Sequence, residues 1–152
     1  MAGGAAIVSY WGIVGPGYGW LTSAVVVAVG GAAALADGAI VGLVAAVAAL
    51  GAGIVARRHR LAAVLFAAAA LGYLVVAFGD GGVVPAVTGS VLLGGMTSEM
   101  LLGHWFLVDP QLPRWALQRL DLVAAFGLVA DVVVISFLGA FGSADGVLIA
   151  AM

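Results

Sequence analysis

The charges in this sequence are so few and so widely spaced that they leave long stretches with none. The bilayer's hydrocarbon core, about 30 Å thick, calls for about 20 apolar residues at 1.5 Å of helix rise each. Runs of that kind extend over residues 18–36, 38–56, 61–78, 83–108 and 122–141, broken by Asp37, by Arg57-Arg58-His59-Arg60, by Gly79-Asp80-Gly81-Gly82 and by a polar connection over 109–121. None alternates polar and apolar residues as a barrel strand does. The expected fold class is therefore all-α: a polytopic transmembrane helix bundle with at least five spans, forming a single membrane domain over 1–152. A turn at Gly142 to Gly146 and a short apolar stretch from 147 read as the opening of a truncated sixth span.

Composition closes off the alternatives. Hydrophobic residues make up 65% and charged residues 8% of the chain, and the mean hydropathy is +1.28. An average soluble domain has about 25% charged residues, and a disordered chain has low hydrophobicity and high charge. With no Lys there is no basic patch for nucleic acid. With no Cys, disulfides, thiolate metal sites and thiol redox chemistry are excluded. The absence of Lys and Asn beside heavy Ala, Gly and Val use suggests a high-GC prokaryotic gene, with its product in the cell membrane.

All five basic residues fall in two connections, 57–60 and 109–121. The positive-inside rule places both in the cytoplasm, together with the N-terminus. Residues 2–14 are apolar but too short to span and end at the helix-breaking Gly15-Pro16-Gly17, so they read as an interfacial or re-entrant helix. In the second run, Gly38, Gly42, Ala45, Ala49, Ala52 and Ala56 form a stripe of small residues that suits close helix packing.

Three ionisable groups lie within apolar runs. Glu99 and Asp131 are candidate proton- or ion-handling groups: an acid in the membrane must face the bundle interior, find a partner or be protonated. Counted from the middles of their runs, the two carboxyls stand at similar depths on adjacent antiparallel helices, so the expectation is a shared-proton pair. His104 follows Met96 and Met100 at i, i+4, i+8 on one helix face. Thioethers and imidazole in that row suit copper(I) or a haem axial position; otherwise they are core filler and an interfacial His. The exit 103–115 gathers Trp105, Asp109, Pro110, Pro113, Arg114 and Trp115. In it Pro110 stops a helix, Asp109 can pair with Arg114 or bond free backbone groups, and the tryptophans suit a headgroup or partner contact.

No nucleophile elbow, zincin, P-loop or dinucleotide fingerprint is present, so no catalytic residue is named. The functional expectation is a small transport or proton/cation-coupling protein or subunit. The alternatives are a structural or assembly subunit of a larger membrane complex and, third, a haem or copper electron-transfer anchor. Beyond that third reading no cofactor is implied. The expected partners are the lipid bilayer and other membrane subunits or further copies, with no nucleic acid.

Overall fold

Six helices in sequence make up the computed structural model: α1 (Ala2–Trp11), α2 (Pro16–Ala36), α3 (Ile40–Ile54), α4 (His59–Gly81), α5 (Val83–Val108) and α6 (Arg114–Ala150). Backbone is described for residues 1–81 and 83–150, and side chains for all but 79–82 and 138–152. The side chains of Asp80 and Asp145 and the last two residues, 151–152, lie outside the described residues.

Four helices are long and apolar enough to cross a membrane: Pro16–Ala36, His59–Phe78, Val83–Val108 and Arg114–Phe137. This corrects the expectation of at least five spans. The run over 38–56 had the composition of a span, but its ends are not helical. Gly38 takes a left-handed backbone (φ 65°). Ala39 is extended, and the Ala56 N–H donates to the Gly53 carbonyl at 3.1 Å, tightening the last turn ahead of the arginines. The remaining 15 residues reach about 22 Å, short of the 30 Å core. At the other end, α6 passes through 142–146 as helix, so residues 147–150 continue it rather than begin a sixth span. It also starts at Arg114, which shortens the 109–121 connection to 109–113.

Two packed groups form the bundle. In one, α3 lies between α2 and α4. Its stripe of small residues is the contact: Gly42, Ala45, Ala49, Ala52 and, just past the helix, Ala56 are buried, whereas Gly38 is exposed and outside the helix. A Cβ on Gly42 would stand 2.7 Å from the Ala34 Cβ, and one on Gly72 of α4 would stand 2.8 Å from the Ala45 Cβ. The buried Ser23 hydroxyl of α2 donates to the Ala49 carbonyl at 2.6 Å. The other group is the α5–α6 hairpin, where Gly95 faces Ala124 and Gly127 faces Leu92. Without hydrophobic drive between helices in lipid, such close backbone approach is what holds them together.

The short α1 and a direct contact between α4 and α5 join the groups. Helix α1 packs chiefly on α4, with α5 and α2 beside it. Ala2, Ala5, Val8 and Ser9 are buried, which makes it an intramembrane arm rather than a surface helix. Its ten residues cover about 15 Å, roughly half the hydrocarbon core. Gly3 faces Ala70 and Gly4 faces Ser98 partway along α4 and α5, whereas Gly12 faces His59 at the arginine end. Gly12 needs its left-handed φ of 64° to cap α1 and turn the chain into α2.

Candidate functional site

Beside the first turn of α1 the surrounding helices enclose empty space. A cavity of about 670 Å³ opens there, with Gly4 of α1 at its base and Val26, Tyr73, Val91 and Gly94 among its walls. Small-molecule sites run roughly 300–1,000 Å³. Tyr73, Ser90 and Thr97 are its polar side chains, and no charged side chain among the described residues lines it. The Tyr73 hydroxyl is directed at the Val26 carbonyl, 3.5 Å away.

Below α1's starting point the bundle is filled. Val8, Val14, Tyr18, Leu102, Leu112, Ala116 and Leu120 form one buried cluster, with Trp11, Trp105 and Phe106 against it. Tyr18 and Trp105 meet edge to face at 6.1 Å, as do Trp11 and Trp115 at 4.9 Å. The Arg119 guanidinium lies 5.1 Å from the Trp115 ring centre. The tryptophans at the 103–115 exit thus build a packed layer under the cavity. Two buried hydroxyls near this layer, Tyr18 Oη and Thr22 Oγ1, find no hydrogen-bond partner among the described residues.

The two intramembrane acids are not brought together. Asp131 Oδ1 accepts a hydrogen bond from the Thr88 hydroxyl of α5 at 2.9 Å. The register set by Gly95–Ala124 and Leu92–Gly127 places Glu99 level with Leu120. Thr88 and Glu99 are eleven residues apart on one helix, about 16 Å along its axis. Asp131 therefore sits toward the end away from the arginines and Glu99 toward the arginine end. Both are half-buried, and neither lines the cavity.

Met96, Met100 and His104 do form one face, but it is the outer face of α5: the methionines are 56% and 68% exposed, and His104 is exposed as well. Among the described residues no group of three His, Asp or Glu side chains stands close enough to hold a metal ion. Asp109 uses its Oδ1 to accept the Gln111 backbone N–H at 3.2 Å, the local backbone alternative to pairing with Arg114, which is exposed.

Sequence reasoning missed the cavity. Its one visible trace was the pairing of a half-length apolar segment with glycines, Gly3 and Gly4, near the start of that segment. No protein family, curated protein or solved structure matches this chain.

Proposed function

We propose that this multi-pass membrane protein is a small transport protein, or the transport subunit of a larger assembly, in which α1 is the movable floor of the cavity. One observation carries the reading: a cavity of about 670 Å³ lies inside the bundle on one side of a half-length helix, and packed aromatic side chains fill the other side. Half-length helices that end at a mid-membrane cavity are the way transporters place a site between two gates. By the positive-inside rule the filled side, which carries Arg57, Arg58, Arg60, Arg114 and Arg119, faces the cytoplasm of a prokaryotic cell. The shared-proton pair is not part of this reading, since Glu99 and Asp131 stand at different depths.

The test is hydrogen exchange on the purified chain in lipid. A floor that moves gives α1 faster amide exchange than the segments of α4 and α5 packed on it. A Cβ at Gly3 would lie 3.9 Å from that of Ala70, within the 3.5–4.5 Å span of disulfides. The double variant Gly3→Cys, Ala70→Cys should therefore cross-link on oxidation, slow α1 exchange and release it on reduction. Equal protection of α1 and α4, with no effect of the cross-link, refutes a moving floor.

A second reading has its own observation. Ile40, Val44, Val47 and Ile54 line the outer face of α3, the helix too short for the bilayer, and are at least 64% exposed. A packing subunit would cover that stripe with a neighbouring helix, which disulfide trapping between Val44→Cys copies or partners would detect.

A further inference from the structure

We infer that the cavity binds a single hydrocarbon chain, acyl or prenyl, that slides in sideways from the bilayer; this rests on the reading of the cavity as the substrate site. The first argument is where the cavity opens. Its exposed lining residues include Leu93 of α5 and Val29 of α2, each 67% exposed. Leu93 lies ten residues from Val83 and fifteen from Val108, about 15 Å and 22 Å from the two ends of α5. The rim is therefore at hydrocarbon depth, and what stands in front of it is lipid tail.

The second argument is why the rim is open. Both α2 and α5 line the cavity, but α2 packs chiefly on α3 and α5 on α6. The arm α1 packs beside both, with Ala2, Gly3 and Gly4 in the lining. Val29 and Leu93 are both apolar and exposed, and both line the cavity.

The third argument is chemical. Water or a polar solute entering this space finds the hydroxyls of Ser90, Thr97 and Tyr73, and the Tyr73 hydroxyl is already directed at a carbonyl. A buried water needs two to four polar partners. Apart from Met1 with its terminal amine, the remaining wall is Ile, Val, Leu, Ala and Gly, whose side chains offer dispersion contact. A cation has no carboxylate to pair with here, because Glu99 and Asp131 lie outside the lining, and the terminal amine of Met1, a lining residue, does not attract one. A hydrocarbon chain loses no hydrogen bonds on moving in, and it restores the contacts that an empty wall forfeits.

The chain has no Cys, so a single fluorophore can be placed by substitution. In phosphatidylcholine nanodiscs carrying the full chain, a fluorophore on Leu74→Cys reports from the cavity wall and one on Val44→Cys reports from the lipid-facing side of α3. Two probes are titrated: spin-labelled stearic acid, and a phosphatidylcholine with the same label on one tail. At Leu74→Cys quenching should saturate near one probe per protein, whereas at Val44→Cys it should rise in proportion to probe content. Saturation by both probes assigns the site to any bilayer hydrocarbon chain, and saturation by the free acid alone assigns it to single-chain molecules. Filling the cavity with Ser90→Leu, or separately with Val87→Phe, should weaken the saturable phase at least tenfold. Proportional quenching at both positions, or a saturable phase unchanged by both fillings, overturns the inference. Hydrogen exchange on the same samples separates the two proposals. Saturation without a moving α1 leaves a lipid site and removes transport; a moving α1 without saturation leaves transport of another solute and removes the hydrocarbon site.

Discussion

Gly127→Ala should loosen the α5–α6 hairpin, and the size of the effect follows from the contact geometry. A Cβ at this position would lie 2.7 Å from the Leu92 nitrogen, 2.8 Å from its Cα and 3.0 Å from the Val91 carbonyl carbon. These are backbone atoms and cannot rotate away. Restoring an ordinary separation of about 3.5 Å moves the helices apart by roughly 0.8 Å, which forfeits a quarter to a half of each contact's attraction. With on the order of 20 atom pairs along the crossing at about 0.15 kcal/mol each, the loss is roughly 0.8–1.5 kcal/mol; overpacked sites generally lose about 1–3 kcal/mol. Alanine also favours helix over glycine by up to about 1 kcal/mol, so the comparison must cancel that gain. Gly103→Ala does so, because Gly103 is on α5 with nothing within 4 Å of its Cβ direction. In SDS-induced unfolding from mild detergent, followed by circular dichroism, Gly127→Ala should be less stable than Gly103→Ala by about 1–2 kcal/mol, a 5–30-fold change in the folded ratio. Equal stability of the two variants would refute close backbone packing as the force that joins α5 and α6.

Thr88→Val should cost about 0.6 kcal/mol, and no more than about 1.7, the range for interhelical hydrogen bonds in membranes; a double-mutant cycle with Asp131→Ala that shows no coupling would contradict the Thr88–Asp131 bond. Tyr18→Phe should leave stability unchanged or raise it by up to about 1 kcal/mol, because the hydroxyl it removes is buried without a partner; a clear loss in the same unfolding assay would reveal a partner. Asp80→Cys should react with an impermeant thiol reagent from outside the cell and His59→Cys should not, since the long helix α4 separates them; the opposite result reverses the orientation.

The long helices were readable because hydropathy and charge set them, and the four that cross begin or end near Asp37, the arginines or the Gly79-Asp80-Gly81-Gly82 stretch of the sequence. The small-residue stripe of α3 was readable too, from its spacing. What failed on α3 was its length, because Gly38 and Ala39 leave the helix through backbone conformation, to which a count of apolar residues is blind. The separation of Glu99 from Asp131 was hidden for a related reason. Depth was counted from the middles of two runs, but glycine contacts at Gly95 and Gly127 set the helix register, and they place Thr88 rather than Glu99 opposite Asp131. The Met96–Met100–His104 row was correct as geometry, yet spacing alone does not say whether a helix face looks inward or outward. The cavity depends on what α1 leaves unfilled, a property of the assembled bundle that no local pattern carries.

The helices that hold α1 all follow it in the chain. Its main support, α4, begins at His59 and its neighbour α5 at Val83. During synthesis the arm leaves the ribosome well before either exists, and until then its buried face of Ala2, Ala5 and Val8 has no protein surface to rest on. Ten residues cannot hold a transmembrane position alone, so the arm must wait at the membrane surface while α2 to α5 are inserted. The arm is thus seated only after helices made later than it, and a ribosome stalled before α4 has emerged should carry a nascent chain whose α1 is still open to protease.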